Sequence, residues 1–228
     1  MKRFALAGLL VLSGCSFAPP VDPAAQAALN QWNAGVQTST ATFADQGIRR
    51  TPPVVGHWAE YRDLDADGTV SRRLQKVVGQ EGDAYWLETE SDTSSGGTTV
   101  KALVAMADWT RPDTMDIRRM ISQPDGEAPQ EVPALLAQSL AGSMMRSFSW
   151  TVTEGPIETV GVPAGRFEAR VLSSQGPSIP FLGDTSGTAW YNAAVPVSGV
   201  VKSASANGYR SELVAFGETG ATSSIPLP

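Results

Sequence analysis

One cysteine and one histidine limit the chemistry this 228-residue chain can perform. A Ser-His-Asp triad would have to use His57, and no Gly-x-Ser-x-Gly elbow accompanies it. Metal centres of the zinc type draw on several His or Cys side chains. His57 is therefore expected to be an ordinary sheet residue. Asp63-Leu64-Asp65-Ala66-Asp67-Gly68 places carboxylates at positions 1, 3 and 5 and glycine at 6 of a calcium loop, but the twelfth position is Leu74. A bidentate glutamate is needed there, so the expected structure is an acidic hairpin turn. Trp58 and Glu60 fall on one face of a strand, as do Trp86, Glu88 and Glu90. Such faces could line a pocket with a polar mouth, or carry a carboxylate pair for acid–base work. The favoured arrangement has the tryptophans packed under a helix and the glutamates reaching solvent at the sheet's edge. No catalytic residue, metal ligand or cofactor is assigned.

These residues need a scaffold, and composition bounds it. The net charge is −6, with no basic block and no basic-aromatic stripe, which argues against nucleic-acid binding. Glycine and proline are plentiful and the charged fraction is 18%, a balance that suits a turn-rich β protein. The first residues form a separate unit. Lys2 and Arg3 precede an apolar run, Phe4 to Leu12, and Ser13 and Gly14 close it. That run suits the core of an export signal and is well short of a membrane span.

Leu12-Ser13-Gly14-Cys15 resembles the bacterial lipobox. The resemblance implies cleavage before Cys15 and diacylglyceryl attachment to its thiol. It accounts for a lone cysteine that can form no disulfide within one molecule. Ser16, rather than aspartate, follows the cysteine. By the sorting rule of enteric lipoproteins this implies the outer membrane, with the domain facing the periplasm. Two or three acyl chains on one residue would hold the chain permanently.

The rest divides by pattern. Residues 1–14 are expected to be the signal peptide. Residues 15–55 are expected to be a lipidated tether with a short helix, opened by Asp22-Pro23 and running from Ala24 to about Gly35. Residues 56–217 alternate as short strands between turns, the signature of an antiparallel sheet. One helical stretch interrupts them, about Val132 to Phe148, where Leu135, Leu136, Leu140, Met144, Met145 and Phe148 fall at helical spacing. Residues 218–228 are expected to be a flexible tail.

A series of strand-end phrases runs through the domain. Gly56-His57-Trp58-Ala59-Glu60-Tyr61 opens it, and Val78-Gly79-Gln80-Glu81-Gly82-Asp83-Ala84-Tyr85-Trp86-Leu87-Glu88 follows. Val162-Pro163-Ala164-Gly165-Arg166-Phe167, Trp190-Tyr191, Val195-Pro196, Gly199-Val200-Val201-Lys202 and Glu212-Leu213-Val214 complete it. The series resembles envelope proteins with the LolA/LolB-like fold. That resemblance implies a mainly β (α+β) domain, a strongly curved antiparallel half-barrel with one or two helices on its concave side. It also implies an apolar cavity. The expected function is a membrane-anchored, non-enzymatic binding module for a lipid or other apolar ligand, contacted by Leu136, Leu140, Met144 and Phe148. The alternative is an envelope scaffold that binds another protein through the sheet surface.

Overall fold

The computed structural model describes residues 52–94, 96–109, 114–133, 137, 151–175, 178–179, 183–184 and 186–226. Cys15, the tether helix and the ligand-contact residues Leu136, Leu140, Met144 and Phe148 lie outside them.

The described residues form one eleven-stranded antiparallel sheet and a separate two-stranded ribbon. The first four strands are meander neighbours: β1 (Trp58–Leu64), β2 (Val70–Glu81), β3 (Ala84–Thr93) and β4 (Gly96–Met106). β5 (Met115–Pro124) and the short β6 (Gln130–Glu131) extend this side to one edge. β7 (Thr151–Val162) and β8 (Gly165–Gln175) form a hairpin at the other edge. β9 (Ser178–Ile179) and β10 (Gly183–Asp184) make the ribbon. β11 (Gly187–Tyr191), β12 (Val200–Ser205) and β13 (Arg210–Gly217) return across the sheet to β1. The order is β6-β5-β4-β3-β2-β1-β13-β12-β11-β8-β7, and the two outer strands do not pair with each other.

Local chemistry explains the turns. Gly82, at φ +61°, sits in the two-residue link between Glu81 and Ala84, where a left-handed residue matches the twist of the flanking strands. The β7–β8 hairpin turns through Pro163-Ala164, between the paired residues Val162 and Gly165. Pro156 has no N–H to donate, and it lies where the β7–β8 register shifts between Glu154 and Ile157. An edge strand with a bulge is where proline is tolerated in a sheet.

The period-2 alternation of the strands gives the sheet two unlike faces. One face is apolar. Ala59, Tyr61, Val201 and Leu213 are buried there with Ala169 and Val195. Farther along, Val104, Ile117 and Met120 pack with Ala137 and Val132, which with Pro133 are the described residues of the expected helical stretch. The β7–β8 turn folds back over this sheet, where the Ala164 N–H donates to the Leu213 carbonyl at 3.1 Å. The other face carries charge in cross-strand rows. Lys202 and Arg62 flank Glu212, and Arg72 lies between Glu60, Glu90 and Asp92.

The expectation of a flexible tail is corrected. Residues through Pro226 dock on the charged face, and Ile225 is 1% exposed. Its side chain enters a cluster of Val78, Ala84, Trp86, Leu103, Ala105 and Ile121. Burying an aliphatic side chain and satisfying the charges beneath it fix the segment in place.

Candidate functional site

Antiparallel register brings three charged residues into one row across the sheet. Lys76 on β2 pairs with Glu88 on β3, and Glu88 pairs with Lys101 on β4. They are 5%, 1% and 0% exposed respectively. Glu90, two residues along β3, projects on the same face and joins them. Charges this deep survive only when paired and hydrogen-bonded, and most of the partners come from the 221–226 segment.

The contacts run in order along that segment. The Lys76 ammonium donates to the Thr222 carbonyl at 3.0 Å and to the Ser224 hydroxyl at 2.9 Å. It also lies 2.6 Å from Glu88 Oε1 and against Glu90. Glu88 accepts the Ser223 hydroxyl at 2.6 Å and the Ser224 N–H at 2.9 Å. The Ser224 hydroxyl donates to Glu90. Lys101 donates to the Ile225 and Pro226 carbonyls, both at 2.7 Å. Its ammonium stands 5.1 Å from the centre of the Trp86 ring, within cation–π range.

Burial alone would raise the Glu88 carboxyl. The hydrogen bonds from Lys76, Ser223 and the Ser224 N–H outweigh it and hold Glu88 below the usual carboxylate range. Glu90 follows the same balance, with Lys76 and Ser224 as the lowering contacts. Both carboxyls are therefore set as anions. A general acid would need one of them raised. The expectation that these glutamates reach solvent is corrected for Glu88. The expectation that Trp86 packs under a helix is corrected too, because Ile225 and the Lys101 ammonium lie against it. Trp58 instead lies over Gly217 and donates its indole N–H to the Thr219 carbonyl at 3.1 Å.

A second polar network sits at the far end of the apolar face. Arg73 grips Asp63 through two hydrogen bonds, at 2.7 and 3.1 Å, and donates to the Ser211 hydroxyl at 3.1 Å. Ser211 donates to Asp63 at 2.5 Å, and the Arg73 guanidinium stacks 4.5 Å from the Tyr61 ring. Asp63 is thus committed to Arg73 and unavailable as the first ligand of a calcium loop. Asp67 caps the Thr69 N–H at 2.8 Å, and the Gly68 N–H donates to the Asp65 carbonyl. The segment is the β1–β2 hairpin turn. Among the described residues no group of three His, Cys, Asp or Glu side chains could hold a metal ion. His57 precedes β1, and its carbonyl accepts the Val77 N–H at 2.9 Å.

One polar atom on the apolar side is left over. Gln75 shares its strand face with Arg73 and Val77, and its Oε1 is buried without a hydrogen-bond partner among the described residues. A shallow depression of about 260 Å³ opens elsewhere, lined by Ile157, Glu168, Arg170, Leu172, Tyr191, Asn192 and Ala193.

No family model matches the chain, and no curated protein matches it either. Solved structures similar to it include a predicted exported protein with a YmcC-like fold from Bacteroides fragilis. The two share 14% identity over 73% of this chain and 98% of the other, with a TM-score of 0.36. A predicted lipoprotein from Parabacteroides distasonis is similar at 13% identity, covering 73% and 97% of the two chains, with a TM-score of 0.35.

Proposed function

We propose that this chain is a lipid-anchored protein of the cell envelope whose β domain binds an apolar ligand without catalysing a reaction. The anchor rests on the Lys2-Arg3 start, the apolar run and Leu12-Ser13-Gly14-Cys15. Ser16 favours the outer membrane and a domain facing the periplasm.

The observation that carries the binding reading is the apolar face of the sheet, where Val104, Ile117 and Met120 are buried with Ala137. β6 ends at Glu131 on one edge and β7 begins at Thr151 on the other. In a flat sheet ten strand spacings would separate them by about 48 Å. The helix expected from the sequence over about Val132 to Phe148 would span only about 26 Å. A helical crossing therefore requires a curved sheet. The burial of Ala137 against the apolar face supports that face as the ligand side, with Leu136, Leu140, Met144 and Phe148 as the proposed contacts of a LolA/LolB-like half-barrel. Gln75 Oε1 offers that interior a hydrogen-bond acceptor, suited to an apolar molecule bearing one hydroxyl or amide. The tight ionic pairing of Glu88 and Glu90 supports a non-enzymatic role.

Native mass spectrometry of the chain carrying Cys15→Ser tests the reading. The expected result is a mass above that of the polypeptide, which Leu140→Trp reduces by filling the interior. Repeated recovery of the bare polypeptide would overturn it.

A further inference from the structure

The 221–226 segment is held in an unusual way. It adds no rung to the sheet. One backbone bond ties it to the domain, from the Ala221 N–H to the Gly56 carbonyl at 2.9 Å. The remaining contacts come from side chains of β2, β3 and β4 that rise from the sheet face and read the segment's main chain and two hydroxyls. Beneath it β3 pairs with β4 without a break, and β2 pairs with β3 apart from a bulge at Val78. Residues 218–220 before it are exposed, with the Thr219 carbonyl held by the Trp58 indole N–H and Gly220 at φ +94°.

This arrangement is that of a receptor with its ligand in place. Lys101 binds the successive carbonyls of Ile225 and Pro226, which one ammonium reaches together because the chain bends at Ser224 and Ile225. Glu88 binds a backbone N–H and a serine hydroxyl, and Lys76 a carbonyl and a second hydroxyl. The apolar hole of Trp86, Leu103 and Ile121 accepts one aliphatic side chain. The cradle's two ammoniums and two carboxylates balance, so a neutral segment fits it. An ordinary core would use apolar residues here at lower desolvation cost. Buried charges that main-chain groups satisfy are instead suited to capturing a peptide by its backbone.

We infer that the Lys76–Glu88–Lys101 cradle is a peptide-binding site, filled in cis by residues 221–226. When that segment lifts, the site takes a Thr-Ser-Ser-aliphatic-Pro segment, bent as residues 221–226 are, from another protein. This goes beyond the apolar-ligand reading and uses the opposite face of the sheet.

The test uses the full chain carrying Ile225→Asp, which evicts the cis segment, and a fluorescent peptide of sequence Ala-Thr-Ser-Ser-Ile-Pro. Fluorescence anisotropy should show at least tenfold tighter binding to this variant than to the wild-type chain. Adding Lys101→Met should remove the gain. A scrambled peptide of the same composition should not compete. Displacement of the labelled peptide by unlabelled wild-type chain would support the site and assign its occupant to a second copy. A folded Ile225→Asp chain that binds no better than wild type would overturn the inference. So would an Ile225→Asp chain that has lost its cooperative melt, because the segment would then be core and not ligand.

Discussion

The ammonium of Lys101 donates to the carbonyl of Ile225 at 2.7 Å, joining residues 124 positions apart in sequence. The lysine is fully buried and the isoleucine nearly so. A charge on the sheet face and a backbone group far along the chain thus complete each other's hydrogen bonding, and the stretch past β13 is ordered as a result.

That ordering depends on ionised carboxylates. Glu88 and Glu90 have their pKa values depressed in the folded protein. Their contribution is fully present above the unfolded value, about 4.3, and is lost as pH falls through the lower folded value. Acidification below about pH 4 should release residues 221–226 before the sheet unfolds. Hydrogen exchange of that peptide, followed by mass spectrometry, reads the effect. Glu88→Gln should shrink the acid-triggered step to the part set by Glu90. Protection unchanged down to global unfolding would count against this account.

Asp63→Ala should strand the Arg73 guanidinium beside Tyr61. Breaking one partner of such a pair costs about 3 kcal/mol or more, read as a lower urea midpoint with an unchanged slope. The double variant Asp63→Leu, Arg73→Met should recover most of the loss, because no charge is then left unpaired. A loss under 1 kcal/mol for the single variant, roughly a surface pair's worth, would show that the network is not supporting the fold.

Much of the fold was legible because strands and turns carry separate signals. Val70 to Glu90 alternates around Gly82-Asp83, and the hairpin lies there. The Asp63–Gly68 turn was read correctly because Leu74 broke the calcium pattern. The cradle was missed for a physical reason. Alternation says that Trp86, Glu88 and Glu90 share a face, but not what covers it, because the cover comes from far along the chain. Two signals were present. Lys101 occupies the same face as Leu103, an odd place for a solvated charge. Ile225 is an isolated aliphatic residue after a run of small polar ones, where a disordered tail has little use for it.

Gly199 sits where a side chain has no room. A Cβ built there would lie 2.0 Å from Tyr191 Cε2, and the backbone is at φ +74°. Gly199→Ala should therefore cost about 1–3 kcal/mol through overpacking and strain. Differential scanning calorimetry should show a lowered Tm. Adding Tyr191→Ala should return only part of it, since the strained φ remains. An unchanged Tm for Gly199→Ala would refute the argument.

Cys15→Ser should move the protein from the membrane fraction to the soluble fraction after cell lysis. It should also abolish metabolic labelling by a fatty-acid probe. Retention in the membrane fraction would refute the anchor and return Leu12-Ser13-Gly14-Cys15 to an ordinary signal sequence.

The bulge in β7 matters most to a crowded population. Chains tethered to one surface, as proposed, meet each other at high local concentration and in similar orientation. An open sheet edge is then an invitation to polymerise. At Pro156 the outer strand lacks a donor, and Glu154 and Glu158 stand exposed beside it. A second copy approaching edge-on finds a gap in the row of donors and like charges on either side. The irregularity in this outermost strand would then weigh against edge-to-edge pairing between neighbouring copies.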